Sequence, residues 1–150
     1  MATFSEIMRR TVEIMRALVI PLSPQIRFLE APDKITIEDH PGFRYAYRLF
    51  RVEMGDFIEA MEYHGPLYAT EQSLIIHVAY FFDPNSVEAS DAERMAATDL
   101  AYVVATMKSP PPDLTFQDLA SQLKFDSVAI DRENNYIKMR IGFRVGYELT

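Results

Sequence analysis

One stretch decides the fold of this chain: residues 137–149, which read IKMRIGFRVGYEL. Every odd position is apolar, and every even position is charged or glycine. A period of two is typical of a β-strand that buries one face, because successive side chains point to opposite sides of the strand. The stretch therefore predicts a C-terminal strand whose residues Ile141, Phe143 and Val145 meet the helices of the core.

The other face of this strand is polar and is the main candidate for contact with another chain. Its charged residues are Lys138, Arg140, Arg144 and Glu148. Gly142 and Gly146 lie between them and expose backbone, which would let another surface come close. A nucleic-acid site is a weak interpretation, because the chain has a net charge of −7 and no aromatic residues interleave on this face. We therefore predict a subunit or partner interface here.

The composition is that of an ordinary globular domain. The 150 residues fit a single domain, residues 1–150, with 49% apolar and 25% charged residues. The absence of cysteine excludes disulfides and thiolate metal sites and suits a reducing compartment. No apolar run approaches the roughly 18 residues of a membrane span, and the N-terminus is unlike a signal peptide. These features predict a cytosolic domain without membrane partners.

Helix and strand signals alternate along the chain. Capping boxes at Thr3/Glu6 and Ser90/Glu93 predict amphipathic helices over 4–20 and 90–108. A short helix is predicted over 115–122. Strands are predicted over 25–30, over 43–53 with a bulge, over 57–63 after a bend at Gly55, over 74–82 as a central strand, and over 126–131 before a turn at 133–135. The order predicts an α+β fold: an antiparallel or mixed sheet, covered on one face by two main helices, with a C-terminal β-hairpin.

Residues with catalytic potential are scattered. His40, His64 and His77 have no second ligand at helical spacing, so a metal site is not expected. Asp126, Asp131 and Glu133 could imitate a two-metal site, but carboxylates near a turn are more often solvated. No nucleophile elbow, phosphate-binding loop or dinucleotide fingerprint is present. The sequence predicts no catalytic, cofactor-binding or metal-binding residues and no enzymatic activity.

The order of elements resembles the tail terminator (tail-completion) proteins of long-tailed bacteriophages. The resemblance is carried by the apolar strand ending in Asp83-Pro84, by the helix 90–108, and by Arg144-Val145-Gly146-Tyr147-Glu148-Leu149, where an aromatic-acidic pair closes the final hairpin. It spans most of the chain as a pattern rather than as identity. Residues 31–72 depart most from it, with longer loops.

The resemblance implies a structural, non-enzymatic protein of the virion. Members of this family form a hexameric ring on the head-proximal end of the tail tube, in the neck. The ring stops tube polymerisation and offers a docking surface to the head-completion protein. The expected partners are the chain itself, the tail tube protein and a neck protein, after assembly in the host cytoplasm. The acidic composition suits a lumen through which DNA passes without specific binding. The loops 31–43 and 64–73 are candidates for contact with the tube.

Two other functions fit the same pattern. One is a different phage neck or head-completion protein, which has similar requirements. The other is a small α+β enzyme or ligand-binding domain, with a pocket between helix 90–108 and the sheet. Its expected lining is Tyr45, Tyr47, His77 and Tyr80. A ring with a central hole would favour the terminator, and a deep cavity in a monomer or dimer would favour the enzyme.

Overall fold

The structure, a computed structural model, describes residues 3–24, 26–30, 48–62, 68–81, 88–120, 122–132 and 136–149. Its helices are α1 (Phe4–Ala17) and α2 (Glu88–Lys108), with a short 3-10 turn at Pro112–Leu114. Its strands are β1 (Phe28–Glu30), β2 (Arg48–Glu62), β3 (Tyr68–Phe81), β4 (Gln122–Arg132) and β5 (Tyr136–Leu149). The predicted α+β class is confirmed.

The five strands form one mixed sheet in the order β1-β2-β3-β5-β4. β1 pairs with β2 in parallel, and the other neighbours are antiparallel. The predicted C-terminal hairpin is confirmed in the pairing of β4 with β5, while its turn at 133–135 lies outside the described residues. β5 pairs with β3 over its whole length, so the strand that decides the fold lies inside the sheet.

Both helices pack against one face of the sheet, which is called the covered face here. Odd-numbered residues of β5 from Ile137 to Tyr147 are buried on this face, as the alternation predicted. They join a core with residues of α1 such as Ile7 and Met15, and with Val103 of α2. No helix among the described residues is long and apolar enough to cross a membrane.

The predicted capping box of α1 is present, but the helix ends earlier than predicted. Thr3 accepts a hydrogen bond from the Glu6 backbone, and the Glu6 side chain accepts one from Thr3. The helix ends at Ala17 instead of residue 20, because Leu18 already has extended backbone. A proline disfavours helical backbone at the residue that precedes it, and Pro21 follows soon after Leu18. The extended segment also turns Ile20 into the core, where it is buried.

Helix α2 begins two residues before the predicted start. Ser90 therefore lies inside the helix, and the predicted capping box of Ser90 and Glu93 is wrong as a helix start. The predicted helix over 115–122 is also wrong. That region contains turns, and β4 already begins at Gln122. Phe116 and Leu119 lie in these turns and are buried in the core. Their spacing of three residues resembles the apolar spacing of a helix.

Strands β2 and β3 are longer than predicted. β2 is one strand through Gly55, with register shifts between Met54 and Phe57 and between Ile58 and Met61. The bulge therefore lies beyond the predicted 43–53, of which 43–47 lie outside the described residues. A Cβ at Gly55 would lie 2.7 Å from the Cβ of Ser73, so glycine lets the two strands approach here. The bend signal thus marks a bulge within one strand.

The first half of β3 was not predicted as strand, because most of its residues are polar. Residues 68–73 were predicted as loop, yet they pair with both β2 and β5. The buried Gln72 accepts a hydrogen bond from the Tyr147 hydroxyl at 2.8 Å, which explains a polar residue in the core. Residues 68–73 of the predicted loop 64–73 are therefore strand, and their contact with the tube stays a prediction, while 64–67 and 31–43 lie outside the described residues.

A buried ion pair joins the sheet to α2. The guanidinium of Arg48 on β2 donates to both carboxylate oxygens of Asp99 on α2, at 2.6 and 3.0 Å. Both side chains are almost fully buried. The hydroxyl of Tyr80 on β3 donates to the same carboxylate at 2.8 Å. Burial raises the pKa of Asp99, while the hydrogen bonds from Arg48 and Tyr80 oppose that rise.

Arg48 also secures the segment that leads into β1. It donates to the Ile26 carbonyl at 2.5 Å and to the Ser23 hydroxyl at 2.6 Å. Its guanidinium lies 5.5 Å from the ring centre of Phe28. A buried charge is tolerated only when its hydrogen bonds are satisfied, so this network connects four separate parts of the chain around one cation.

Removing one partner of this pair should destabilise the fold strongly. Asp99→Ala leaves the Arg48 charge buried without its anion, which costs about 3–5 kcal/mol. Urea unfolding followed by circular dichroism measures the loss. The control is Glu30→Gln, which breaks the exposed Arg16–Glu30 pair and should cost under about 1 kcal/mol. Equal losses in the two variants would contradict this role of the buried pair.

Candidate functional site

The face of the sheet away from the helices carries the predicted interface residues. We call it the open face. Directly opposed residues in antiparallel strands share a face, so the register assigns its members. They include Leu49, Arg51 and Glu53 of β2, Glu71, Ser73, Ile75, His77 and Ala79 of β3, Lys138, Arg140, Gly142 and Arg144 of β5, and Gln122, Lys124, Ser127, Ala129 and Asp131 of β4. The open face is thus mainly polar and spans four strands.

The structure places the predicted cations of β5 together on the open face. Lys138, Arg140 and Arg144 alternate with buried residues, and Arg140 and Arg144 are exposed. Arg144 is shared between two carboxylates, with Asp126 at 3.3 Å and Glu71 at 3.9 Å. Arg140 forms no ion pair with any described residue. The side chain of Glu148 lies outside the described part, although its backbone pairs with Ala69.

Gly142 has a different role from the predicted one. It was expected to expose backbone to another molecule, but it is buried. A Cβ at this position would lie 2.8 Å from the Ser127 hydroxyl of the neighbouring strand. Glycine therefore lets β4 lie close to β5 at the register shift between Phe125 and Ser127. The close approach that the sequence indicated is intramolecular.

A shallow groove of about 400 Å³ crosses the open face between β2 and β4. Arg140, Ser73 and Ile75 line it together with the backbone of Gly142. Three carboxylates also contribute: Glu53, Asp56 and Asp126. The groove thus carries charges of both signs, which suits contact with a polypeptide that presents complementary charges.

A histidine cluster that the sequence did not connect lies beside this groove. The Nε2 atom of His77 lies 2.8 Å from Glu53, and Arg51 donates to the same carboxylate oxygen at 2.7 Å. Burial lowers the pKa of His77 below its ordinary value of 6.5, despite the nearby carboxylate. Burial alone would raise the pKa of Glu53, but the hydrogen bonds from His77 and Arg51 lower it overall. Neutral His77 therefore donates to an ionised Glu53 near neutral pH.

The two described residues that were expected to line an enzyme pocket, His77 and Tyr80, do not come together. His77 is on the open face, whereas Tyr80 points to the covered face and bonds to Asp99. Tyr45 and Tyr47 lie outside the described residues, as do His40 and His64. Their opposite parity in the strand is the sequence signal that puts them on different faces. Because β3 is apolar on both sides near His77, the sequence did not show which of these faces the helices cover.

The carboxylates near the last hairpin also separate. Asp126 is held by Arg144, and Asp131 lies opposite Lys138 in the register of β4 and β5. Glu133 lies outside the described residues. Within the described ranges, no three histidine or carboxylate side chains are grouped closely enough to hold a metal ion. What the described open face offers is a set of charges and hydrogen-bonding groups for recognition.

Acidification should weaken the fold through His77. Its pKa is lower in the folded chain than in the unfolded one, so at pH values between these two pKa values the unfolded state binds more protons. Stability is therefore full above the unfolded pKa near 6.5 and falls as pH drops through the folded pKa. His77→Gln keeps a donor for Glu53 without the titration. Urea midpoints measured from about pH 7.5 to 5 should fall less in this variant than in the wild type. Parallel curves would contradict the assignment.

Comparison of the sequence with known proteins found no match. The chain matches none of the protein-family models or curated protein sequences with which it was compared.

Proposed function

We propose that this chain is a structural protein of the bacteriophage virion: a tail terminator that caps the tail tube as a hexameric ring. The ring stops tube polymerisation and presents the docking surface for the head. It acts without enzymatic activity, at the head-proximal end of the tail. Its partners are further copies of the chain, the tail tube protein and a neck protein.

The arrangement of the elements that carry the resemblance is the main support for this function. β3 contains most of the apolar strand, β5 contains the final alternating stretch, and the two pair along their full length. α2, the third element, packs over β5 on the covered face. The pattern that suggested the family therefore belongs to one packed unit of the fold, and the α+β class is the one that the resemblance implies.

The open face supports an assembly role. It holds the exposed Arg140, which lacks an ion pair with any described residue, beside a groove with charges of both signs. An unpaired surface cation gains most when a partner supplies the anion and excludes water. We assign this face to contact with another chain of the assembly. The net charge of −7 suits a ring through which DNA passes without being held.

The oligomeric state tests the function directly. Light scattering coupled to size exclusion should give a mass six times that of the 17.3 kDa chain, and negative-stain images should show rings with a central hole. Purified tail tubes should carry one ring at one end and stop growing. A protein that remains monomeric at its highest soluble concentration, and leaves tube length unchanged, would overturn the proposal. Rings that bind the head but not the tail tube would favour another neck protein.

Reversing the open-face cations tests the interface. Arg140→Glu with Arg144→Glu should prevent assembly while circular dichroism stays unchanged, because the altered charges lie on the exposed side of β5. Arg94→Glu on α2 is the matched control, since that side chain is 81% exposed and remote from the open face. Lost rings would assign the face to subunit contact. Intact rings that no longer cap tubes would assign it to the tube. Unchanged rings and capping would refute the interface.

A further inference from the structure

Strand β4 is exposed on both faces of the sheet. Every residue from Lys124 to Arg132 is exposed, small side chains included. Ala129 of β4 is exposed, whereas Ala79, which lies on the same face of β3 between two other strands, is fully buried. This exposure leaves the outer side of β4 accessible. An accessible edge strand is a template for pairing with another strand.

Three large apolar side chains lie together on β4, and we call them the β4 patch. They are Phe125, Val128 and Ile130, which are 38%, 40% and 54% exposed. All three lie directly opposite buried residues of β5, which places them on the covered face. Phe125 packs edge-on against Phe143, with ring centres 6.0 Å apart, so the patch continues the core outward. Contiguous exposed apolar residues of this kind mark interaction sites.

Two opposite charges lie on the other face of β4, toward its two ends. Lys124 lies opposite Arg144 of β5, and Asp131 lies opposite Lys138, so both belong to the open face. Neither Lys124 nor Asp131 forms an ion pair with a residue that the structure describes. A strand with a free cation near its start and a free anion near its end is complementary in charge to a reversed copy of itself.

The bulge in β4 determines how a reversed copy can pair with it. Asp126 is the extra residue at the register shift between Phe125 and Ser127. Directly opposed residues of antiparallel strands share a face, so registers that respect the faces on both sides of the bulge differ by steps of two residues. One of these registers sets Val128 opposite its own copy, on a two-fold axis.

In this register the residues of β4 complement one another on both faces. Phe125 lies opposite Ile130 of the second copy, and Ile130 lies opposite Phe125, so the two β4 patches cover each other. Lys124 likewise lies opposite Asp131 of the second copy on the open face, and this pair also occurs twice. Cross-strand pairs of these apolar and oppositely charged types stabilise a sheet.

The two neighbouring registers are less favourable. A shift of two residues in one direction sets Lys124 opposite Ala129 of the second copy and Asp131 opposite Gln122. The opposite shift sets Phe125 against Arg132 and Asp131 against Ser127. Both shifts lose the two ion pairs, so the charges select the register centred on Val128.

We propose that β4 of this chain pairs antiparallel with β4 of a second copy, across a two-fold axis at Val128, and joins the two sheets into one. The contact is isologous, since each copy uses the same surface. It goes beyond the proposed function and leaves Arg140 and Arg144 uncovered, so it can join two free chains or two rings placed back to back. One strand from each chain makes a small interface, and small interfaces are weak, so the pair forms at high protein concentration.

Exchanging the charges tests the contact and its register. Lys124→Glu places two carboxylates opposite each other at both ends of the contact, and Asp131→Lys places two cations there. Each variant should pair roughly tenfold to a hundredfold more weakly than the wild type. An equimolar mixture of the two variants should regain pairing as a mixed dimer, because every opposed charge is then complementary. Sedimentation equilibrium at high concentration measures the association. Arg9→Glu, at an exposed residue of α1, which packs against β1 and β2, is the matched control and should pair normally.

Cross-linking locates the two-fold axis. The chain contains no cysteine, so a single introduced cysteine can form a disulfide only with another copy. Opposed residues of antiparallel strands have Cα atoms about 4.5–5.5 Å apart, which suits a disulfide. Val128→Cys should therefore cross-link almost completely on oxidation, as non-reducing gels show. Ser127→Cys and Ala129→Cys should remain mainly monomeric on the gel, because each residue lies opposite the other and not opposite its own copy.

The outcomes separate this contact from the proposed function. Single charge variants that pair like the wild type, a mixture that regains nothing, or a stronger cross-link at residue 127 or 129 than at residue 128 would each refute the contact in this register. A wild type that does not pair at its highest soluble concentration would also refute it, and rings on tail tubes would then leave the terminator function intact. Wild-type pairs that neither form rings nor cap tubes would keep the contact and overturn the terminator. Circular dichroism confirms that each variant folds.

Discussion

The structure depends on the ion pair between Arg48 and Asp99. It joins β2 to α2 at a point where no water reaches either charge, and the Tyr80 hydroxyl and the carbonyl of Ile26 complete the hydrogen bonding. Arg48 also lies in one row of the sheet with Phe28 and Tyr80. A displacement of the helix, of the segment before β1 or of β3 would leave a charge buried without a partner. The relative positions of these elements are therefore strongly constrained.

Two helices on one face of a five-stranded sheet leave much of that sheet to other contacts. The core lies under α1 and α2, and the apolar residues of β4 extend beyond it. On the other side, Arg144 joins β5 to β3 and β4 through carboxylates, while Arg140 has no ion pair with any residue that the structure describes. The exposed apolar residues of β4 and the charge of Arg140 are the features on which the proposed assembly role rests.

Local signals in the sequence predicted most of the elements, and the errors have identifiable physical causes. The capping box at Thr3, the alternation in β5 and the apolar half of β3 were all confirmed. The polar residues 68–73 were predicted as loop because their strand character comes from pairing with β2 and β5, not from their side chains. Gly55 was interpreted as the end of a strand because a bulge and a turn use the same residue type. Of the candidate site, the sequence placed Lys138, Arg140 and Arg144 on one face of β5, but the cluster of His77 with Glu53 joins two strands and has no local signature.

By itself, the sequence determined that residues 137–149 form a strand with a buried odd face and a charged even face, because side-chain alternation is a property of the local backbone. It also determined the two helices, though not all of their ends, and the α+β class, since apolar periods are local too. Only the tertiary structure decided which strands are neighbours. It placed β5 inside the sheet, set β4 and β1 at its edges, enclosed Gly142 under Ser127 and brought Arg48 to Asp99. These outcomes depend on contacts between residues far apart in the chain, and no local period encodes them.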